Sequence, residues 1–356
     1  MPVVSLTSAE SIANFSPADR MRPVRIWLYI VAQMVLAMVV VGGITRLTDS
    51  GLSITEWQPI SGIIPPLSAA DWVAEFNNYK KIPQYVLLNQ GMSLGEFQFI
   101  FWWEWGHRFL GRVIGFVFAV PFLVFLVQRR FSWSLAAPLA GLFVLGGLQG
   151  ALGWWMVSSG LQDLTSVSQY RLAAHLGAAL LLFLALIWVA RRIGPERPVP
   201  TNAQPGSVLL LLALIYLQII AGAFVAGLDA GMGYNTWPLM DGALVPQGLD
   251  AIDPWWRNIF ENSLTVQFIH RTIAYVIVLY VGALYFWKRG AGSFGGANGW
   301  LPRIAILVLL QACLGITTLV LHVPLPFALG HQALAFMLAG ATMAWFADIT
   351  PRKAPA

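Results

Sequence analysis

The stretch "TDSGLSITEWQPISGIIPP" (residues 48–66) has a counterpart further along the chain, "LDAGMGYNTWPLMDGALVP" (228–246). Asp49 matches Asp229 at a spacing of 229 − 49 = 180 residues. The same spacing relates four further pairs: Gly51 with Gly231, Trp57 with Trp237, Gly62 with Gly242, and Pro66 with Pro246. Ordered matches that include polar residues predict an internal duplication.

Two shorter matches extend the duplication. "HRFLGRVI" (107–114) resembles "HRTIAYVI" (270–277) at a spacing of 270 − 107 = 163, and "LQGALG" (148–153) resembles "LQACLG" (310–315) at 310 − 148 = 162. Both matches lie within apolar segments, in the same order in each half. The repeats therefore predict two tandem halves of similar fold.

The composition is that of a membrane protein. Hydrophobic residues make up 58% of the 356 residues and charged residues 10%, whereas soluble domains average about 45 to 50% and about 25%. Crossing a bilayer core takes about 20 apolar residues. Eight runs meet that length, near 26–45, 106–127, 135–157, 170–190, 207–228, 266–287, 301–321 and 326–347.

These runs predict an all-α polytopic membrane protein with eight transmembrane helices. Four spans per half is an even number, so both halves have the same orientation in the membrane. We therefore expect two tandem four-helix bundles, related by a pseudo-twofold axis along the membrane normal. The predicted division is a cytoplasmic segment at 1–25, a first half at 26–200, a second half at 201–347 and a cytoplasmic tail at 348–356.

The distribution of charge predicts the topology. Two hydrophilic connections are long, 46–98 and 229–264, and 12 of the 16 acids lie on their side of the membrane. The other side holds 13 of the 21 basic residues: Arg20, Arg22, Arg25, Arg129, Arg130, Arg191, Arg192, Arg197, Lys288, Arg289, Arg303, Arg352 and Lys353. Basic residues near span ends tend to stay cytoplasmic. Both termini are thus predicted to be cytoplasmic and both long loops outside, and the net charge of +5 requires no nucleic acid.

Four histidines lie near the start of the even-numbered spans. They are His107, His175, His270 and His331. All four spans enter the membrane from the outer side, so the imidazoles are expected at similar depth. Pairs of imidazoles from facing helices can clamp a haem iron from both sides. Intramembrane ionisable groups are costly and usually functional, which favours haem ligation.

Three arginines accompany these histidines. Arg108 and Arg271 directly follow two of them, and Arg171 lies four residues before a third, on the same helical face. Guanidinium groups bind carboxylates in a fork geometry, which suits haem propionates. Snorkelling to the outer headgroups is the alternative for each arginine.

The two halves differ three residues before the first histidine of each. Glu104 stands there in the first half and Gln267 in the second. Residues three apart share a helical face, so Glu104 is expected beside His107. The difference predicts that the first half performs chemistry next to a haem and the second half holds one. A carboxylate that caps the helix start is the alternative.

Several motifs together resemble one known family. They are "TRLTDSGLSITEW" (45–57), "EFQFIFWWEWGHRFLGR" (96–112), "AAHLG" (173–177), "QFIHR" (267–271) and "GHQALA" (330–335). In this order on eight spans they closely resemble heme A synthase, over nearly the whole chain. The single cysteine, Cys313, lies in a span. The chain therefore resembles the class of proteobacteria and mitochondria that lacks the outer-loop cysteine pair.

The resemblance implies an oxidoreductase of the bacterial inner membrane that converts the C8 methyl group of haem O to the formyl group of haem A for cytochrome c oxidase. It implies that His107 and His175 hold the substrate haem, with Glu104 beside the reacting methyl. His270 and His331 would ligate the iron of a haem b cofactor, with the haem sites toward the periplasmic side. Haem O synthase and cytochrome c oxidase assembly factors are the implied partners, together with membrane lipid.

Two other functions fit parts of the pattern. A di-haem electron carrier of the cytochrome b type, which oxidises quinol, needs all four histidines but not Glu104. A transporter built from two parallel repeats would explain the duplication and use the histidines and arginines to bind substrate.

Overall fold

The computed structural model describes residues 20–162, 164–195, 204–290 and 299–352. Within them, eight helices are long and apolar enough to cross a membrane. We name them α1 (Arg22–Leu47), α2 (Leu94–Val127), α3 (Trp133–Val157), α4 (Gln169–Arg192), α5 (Pro205–Gly227), α6 (Ser263–Gly290), α7 (Trp300–Val320) and α8 (Leu325–Ile349). The predicted all-α fold with eight spans is confirmed. Arg197, Lys353 and residues 1–19 lie outside the described residues.

Helix α2 begins well before the predicted start of its span, at Leu94 instead of residue 106. A capping box explains the early start: Ser93 accepts from the Glu96 amide at 3.3 Å, and the Ser93 amide donates to the Glu96 carboxylate at 2.8 Å. The extra turns pack on aromatic residues, with the Phe97 and Phe76 rings 5.0 Å apart. At 34 residues and about 1.5 Å per residue, α2 is longer than a bilayer core of roughly 30 Å.

The long connections carry helices of their own. The first contains Ala69–Tyr79 and Pro83–Leu87, and the second contains the short helix Asn258–Glu261. A second capping box, between Ser68 and Asp71, begins the first of these. We call the end of the bundle that carries these connections the loop end, and the opposite end the terminus end.

The helices pack as two sets of four. Helix α1 contacts α2 and α4, and α3 contacts α2 and α4; α5 contacts α6 and α8, and α7 contacts α6 and α8. The two sets meet through α4 with α5, α1 with α8, and α4 with α8. Leu28, Leu180, Leu211 and Ile304 are fully buried in one shared core. This packing is what two tandem bundles predict; the axis between them and the domain bounds stay predictions.

Polar bonds tie the two sets together at both ends. At the terminus end, Arg191 of α4 forms an ion pair with Asp348 of α8, which also accepts from the Trp300 indole N–H at 3.0 Å. At the loop end, the Arg46 guanidinium donates to the Ala226 carbonyl and to Asp229, both at 2.6 Å. Each end of the interface is therefore held by an arginine of the first half.

We predict that Asp348→Asn destabilises the protein more than Glu261→Gln. Asp348 is 5% exposed and its partner Arg191 is 14% exposed, so the substitution leaves a buried guanidinium without its counter-charge. Loss of one partner from a buried pair costs about 3 kcal/mol or more. Glu261 pairs with Arg257, which is 42% exposed, and such pairs contribute about 0 to 1 kcal/mol. Thermal unfolding in detergent measures both variants, and equal losses of stability would contradict the prediction.

Candidate functional site

The structure brings the four histidines together in two pairs. His270 of α6 and His331 of α8 have ring centroids 6.4 Å apart with an interplanar angle of 77°. His107 of α2 and His175 of α4 lie near enough to interact electrostatically. Each pair thus comes from the two even-numbered helices of one half, as the sequence predicted.

Each imidazole has an unpartnered nitrogen. The Nδ1 atoms of His107, His175, His270 and His331 are buried and have no hydrogen-bond partner among the described residues. Buried polar side-chain atoms are normally hydrogen-bonded, so none of the four rings is held in the usual way at its Nδ1 atom.

The separation of the second pair fits a shared metal ion. A metal–imidazole bond is about 2.0 Å long. Two such bonds in line account for most of the 6.4 Å between the His270 and His331 centroids, and the distance from each nitrogen to its ring centre accounts for the remainder. No group of three or more His, Cys, Asp or Glu side chains able to hold a metal ion occurs in the described part of the chain. Paired imidazoles therefore fit haem iron.

Glu104 lies buried beneath the first long loop, with 2% of the residue exposed. Its Oε2 accepts from the Ser53 hydroxyl and the Ile54 amide, both at 2.7 Å, and its Oε1 accepts from Arg108 at 2.5 Å. Arg108 also donates to the Ile54 carbonyl at 2.9 Å and to the Glu56 carbonyl at 3.1 Å. The pair therefore fastens the loop to α2, one turn from His107.

Gln267 and Arg271 build the same arrangement in the second half. The Gln267 amide donates to the carbonyls of Ala230 at 2.7 Å and Gly233 at 2.8 Å, and its Oε1 accepts from Arg271 at 2.9 Å. Arg271 donates to the carbonyl of Tyr234 at 2.6 Å. The second long loop is thus fastened to α6 beside His270.

The two fastenings differ in polarity. In the first half the loop presents donors, Ser53 and the Ile54 amide, to a carboxylate, whereas in the second half it presents carbonyls to an amide. Each loop therefore presents hydrogen-bonding groups that complement the side chain it covers: donors above Glu104 and acceptors above Gln267. The two halves differ in these loop groups as well as in the two side chains.

Two further arginines occur only in the first half. Arg171 donates to the Trp155 carbonyl at 2.6 Å and lies over the Trp155 ring. Arg112, which the sequence analysis missed, donates to the carbonyls of Gln58 and Pro59, both at 2.9 Å, and its Nη1 is buried without a partner among the described residues. The repeat-related positions are Phe327 (331 − 4) and Tyr275 (112 + 163). The first half thus carries the greater positive charge around its histidines.

Two carboxyl groups at the loop end have raised pKa values. The pKa of the Asp49 carboxyl is raised by partial desolvation, although 74% of the side chain is exposed; Arg46 lowers this pKa and Asp229 raises it further. Burial likewise raises the pKa of Glu75, with Glu56 adding to the rise and Arg108 opposing it. These carboxyl groups therefore hold protons more readily than free acids.

Comparison with known proteins identifies the family. The family described as cytochrome oxidase assembly protein matches residues 25–343. The chain belongs to this family. Heme A synthase of Azorhizobium caulinodans is 53% identical over 340 residues, which cover 93% of this chain and 95% of that protein. Heme A synthase of Parvibaculum lavamentivorans is 54% identical over 316 residues, covering 88% and 90%. The resemblance to heme A synthase found in the sequence is confirmed.

Family membership makes the chain an oxidoreductase. The histidine pairs provide sites suited to haem. The structure places Arg108, Arg171 and Arg271 on backbone carbonyls at the loop end, and their predicted contacts with haem propionates stay predictions. The sequence offered one signal for Arg112, which belongs to the motif ending "HRFLGR".

We predict that Arg108→Met destabilises the first loop more than Arg271→Met destabilises the second. Arg108→Met leaves the Glu104 carboxylate, 3% exposed, buried without its counter-charge, at a cost of about 3 kcal/mol or more. Arg271→Met leaves a neutral amide oxygen, at a cost of about 1 to 3 kcal/mol. Each arginine also loses two bonds to loop carbonyls, so the two variants are matched.

Hydrogen exchange of amides 50–56 and 230–236 measures the effect. Faster exchange in the first loop of Arg108→Met than in the second loop of Arg271→Met is the expected result. Equal acceleration of the two loops would show that the charge on Glu104 has no part in the fastening.

Proposed function

We propose that this chain oxidises the C8 methyl group of haem O to a formyl group, with substrate haem in the first half and a haem b cofactor in the second. Family membership supports the reaction. The observation that carries the assignment of the halves is the buried Glu104 carboxylate, which occurs beside His107 and is replaced by Gln267 beside His270.

The histidine pairs divide accordingly. His107 and His175 hold the substrate haem, and His270 and His331 hold haem b. The pairing of His270 with His331 and the 6.4 Å between their ring centroids support this assignment. When bound, haem b supplies one-electron transfer. The protein supplies the ligands and the apolar enclosure.

Glu104 has two roles in this proposal. Its bonds to Ser53, Ile54 and Arg108 hold the first loop closed. From the same position it stabilises positive charge that develops at the methyl carbon, or accepts the proton that leaves it. An electron carrier has no use for such a carboxylate, so this residue favours the enzyme over the carrier.

The arginines bind the propionates of the two haems. Arg108 and Arg171 serve the substrate haem and Arg271 serves haem b. Arg112 is a further donor for the substrate, because its Nη1 is buried without a partner in the described structure. The greater number of arginines near His107 and His175 supports placing a haem that must be oriented for reaction in this half.

The protein is a multi-pass membrane protein, and we infer its orientation from charge. By sequence, 13 of the 21 basic residues lie in the terminal segments and in the connections after the second, fourth and sixth spans, which favours a cytoplasmic location for both termini. The haem sites then lie toward the periplasmic side of a bacterial inner membrane. Haem O synthase in the same membrane would supply substrate, and cytochrome c oxidase assembly factors would receive the product.

We predict that Glu104→Gln abolishes haem A formation while the protein keeps its haem. The amide lacks the negative charge and the basicity that the proposed roles require. Haem extracted from cells that make haem O, and that lack another haem A synthase, is separated by chromatography with and without each variant. Glu96→Gln, a carboxylate two turns earlier on α2 in a capping box that Gln also completes, is the matched control.

Ser53→Ala separates the two roles of Glu104. This change removes one bond from the loop fastening but keeps the carboxylate, so substantial haem A formation is expected. A loss as complete as in Glu104→Gln would assign Glu104 to loop closure alone. Normal haem A formation by Glu104→Gln would refute the catalytic role.

We predict that replacing the histidines depletes one haem at a time. His270→Ala and His331→Ala lose haem b, because one of the two residues that would hold its iron is missing, and His107→Ala and His175→Ala lose the substrate haem while haem b stays bound. His322→Ala, in an exposed turn, is the control and keeps both. Haem composition of the purified variants measures the result, and full haem b content in His270→Ala would contradict it.

A further inference from the structure

Each of the four histidines packs against a glycine of the preceding helix. A Cβ atom built on these glycines would lie close to the imidazole Cε1 atom. The distances are 3.1 Å for Gly42 to His107, 3.3 Å for Gly153 to His175, 3.1 Å for Gly222 to His270, and 2.7 Å for Gly315 to His331. These separations are shorter than ordinary van der Waals contact between carbon atoms, which is about 3.5 to 4.0 Å.

The glycines follow the internal duplication. Gly42 and Gly222 are 222 − 42 = 180 residues apart, and Gly153 and Gly315 are 315 − 153 = 162 apart. These are the spacings of the first loop match and of the "LQGALG" match. Every histidine therefore has an equivalent glycine on α1, α3, α5 or α7.

Other glycines of these helices do not have such contacts. A Cβ on Gly147 or Gly150, both on α3, would meet nothing within 4 Å. A Cβ on Gly43 would meet the Gln332 side chain at 2.5 Å, at the contact between α1 and α8. Close approach to an imidazole is thus specific to one glycine of each odd-numbered helix.

The glycine contacts matter because the Nδ1 atoms of the imidazoles lack hydrogen-bond partners among the described residues. A ligand imidazole is usually oriented by a bond from its second nitrogen to a carbonyl or carboxylate. Here the Nδ1 atom of each ring has no partner among the described residues. With Nε2 as the nitrogen that would bind the iron, which at His270 lies 3.2 Å from the Gln218 side-chain amide, packing against the glycine replaces the Nδ1 bond as the constraint on the ring.

We propose that Gly42, Gly153, Gly222 and Gly315 are positioning residues that set the planes of the haem-ligating imidazoles. The proposal rests on the proposed function, since it requires the histidines to be haem ligands. A methyl group at any of these glycines displaces or turns its imidazole. The greatest effect is expected at Gly315, where the contact is shortest.

Electron paramagnetic resonance of the oxidised, haem-loaded protein tests the proposal, because the g values of low-spin haem depend on the angle between its two axial imidazoles. Gly315→Ala and Gly222→Ala are expected to shift the g values of haem b, with the larger shift in Gly315→Ala. Haem affinity is expected to fall about 10-fold, as for other changes that disturb ligand orientation. Gly150→Ala, which adds a methyl in open space, is expected to match the wild type.

Gly43→Ala is the control for a general effect of crowding between helices. It crowds the interface between α1 and α8 but not an imidazole. A shift in Gly43→Ala as large as in Gly222→Ala would overturn the proposal, and so would wild-type g values in both Gly222→Ala and Gly315→Ala. Size-exclusion profiles in detergent identify any variant that does not fold, and Gly222→Ala, with its longer contact, is the milder change.

A failure of the proposed function would give a different result from a failure of the positioning role. If His270→Ala keeps the low-spin haem signal of the wild type, His270 is not a ligand, whatever the glycine variants show. If that signal disappears in His270→Ala but is unchanged in both glycine variants, the ligand assignment stands and the positioning role is refuted.

Discussion

The placement of four half-buried imidazoles among apolar helices, each with a buried Nδ1 atom, is the constraint on which the rest of this structure depends. A polar group without a hydrogen bond is costly in a membrane interior, so the rings need both a ligand and an enclosure. The enclosure comes from glycines behind the rings and from the long loops fastened above them. Long helices alone would leave the loop end of each bundle open.

The two halves share a geometry at the loop end and differ in the polar groups that they place there. Both halves keep an arginine that donates to loop carbonyls, and both keep a side chain beneath the loop that accepts from it. Only in the first half is that side chain a carboxylate, and only there does it accept hydrogen bonds from donors of the loop. A reactive site can thus arise from a cofactor site without a change in backbone architecture.

Much of the fold was predictable from the sequence because apolar length determines where a chain crosses a membrane. The outward start of α2 was not predicted from hydropathy, since residues 94–105 mix aromatic and polar side chains, although "SLGE" (93–96) carries the signal of a capping box. The histidine pairing followed from the repeats. The partners of Glu104 did not, because Ser53 and Ile54 lie about 50 residues earlier in an irregular loop that no helical periodicity relates to α2.

The ion pair between Arg46 and Asp229 makes the contact between the two halves asymmetric at the loop end. The residue equivalent to Arg46 in the second half is Ala226 (46 + 180), whose carbonyl Arg46 also binds. A homodimer of the first half would keep an acid for each such arginine, because Asp49 is the repeat equivalent of Asp229, whereas a homodimer of the second half would have no arginine at this position. The second half therefore depends on the first for this contact, whereas the first half carries residues equivalent to both of its charges.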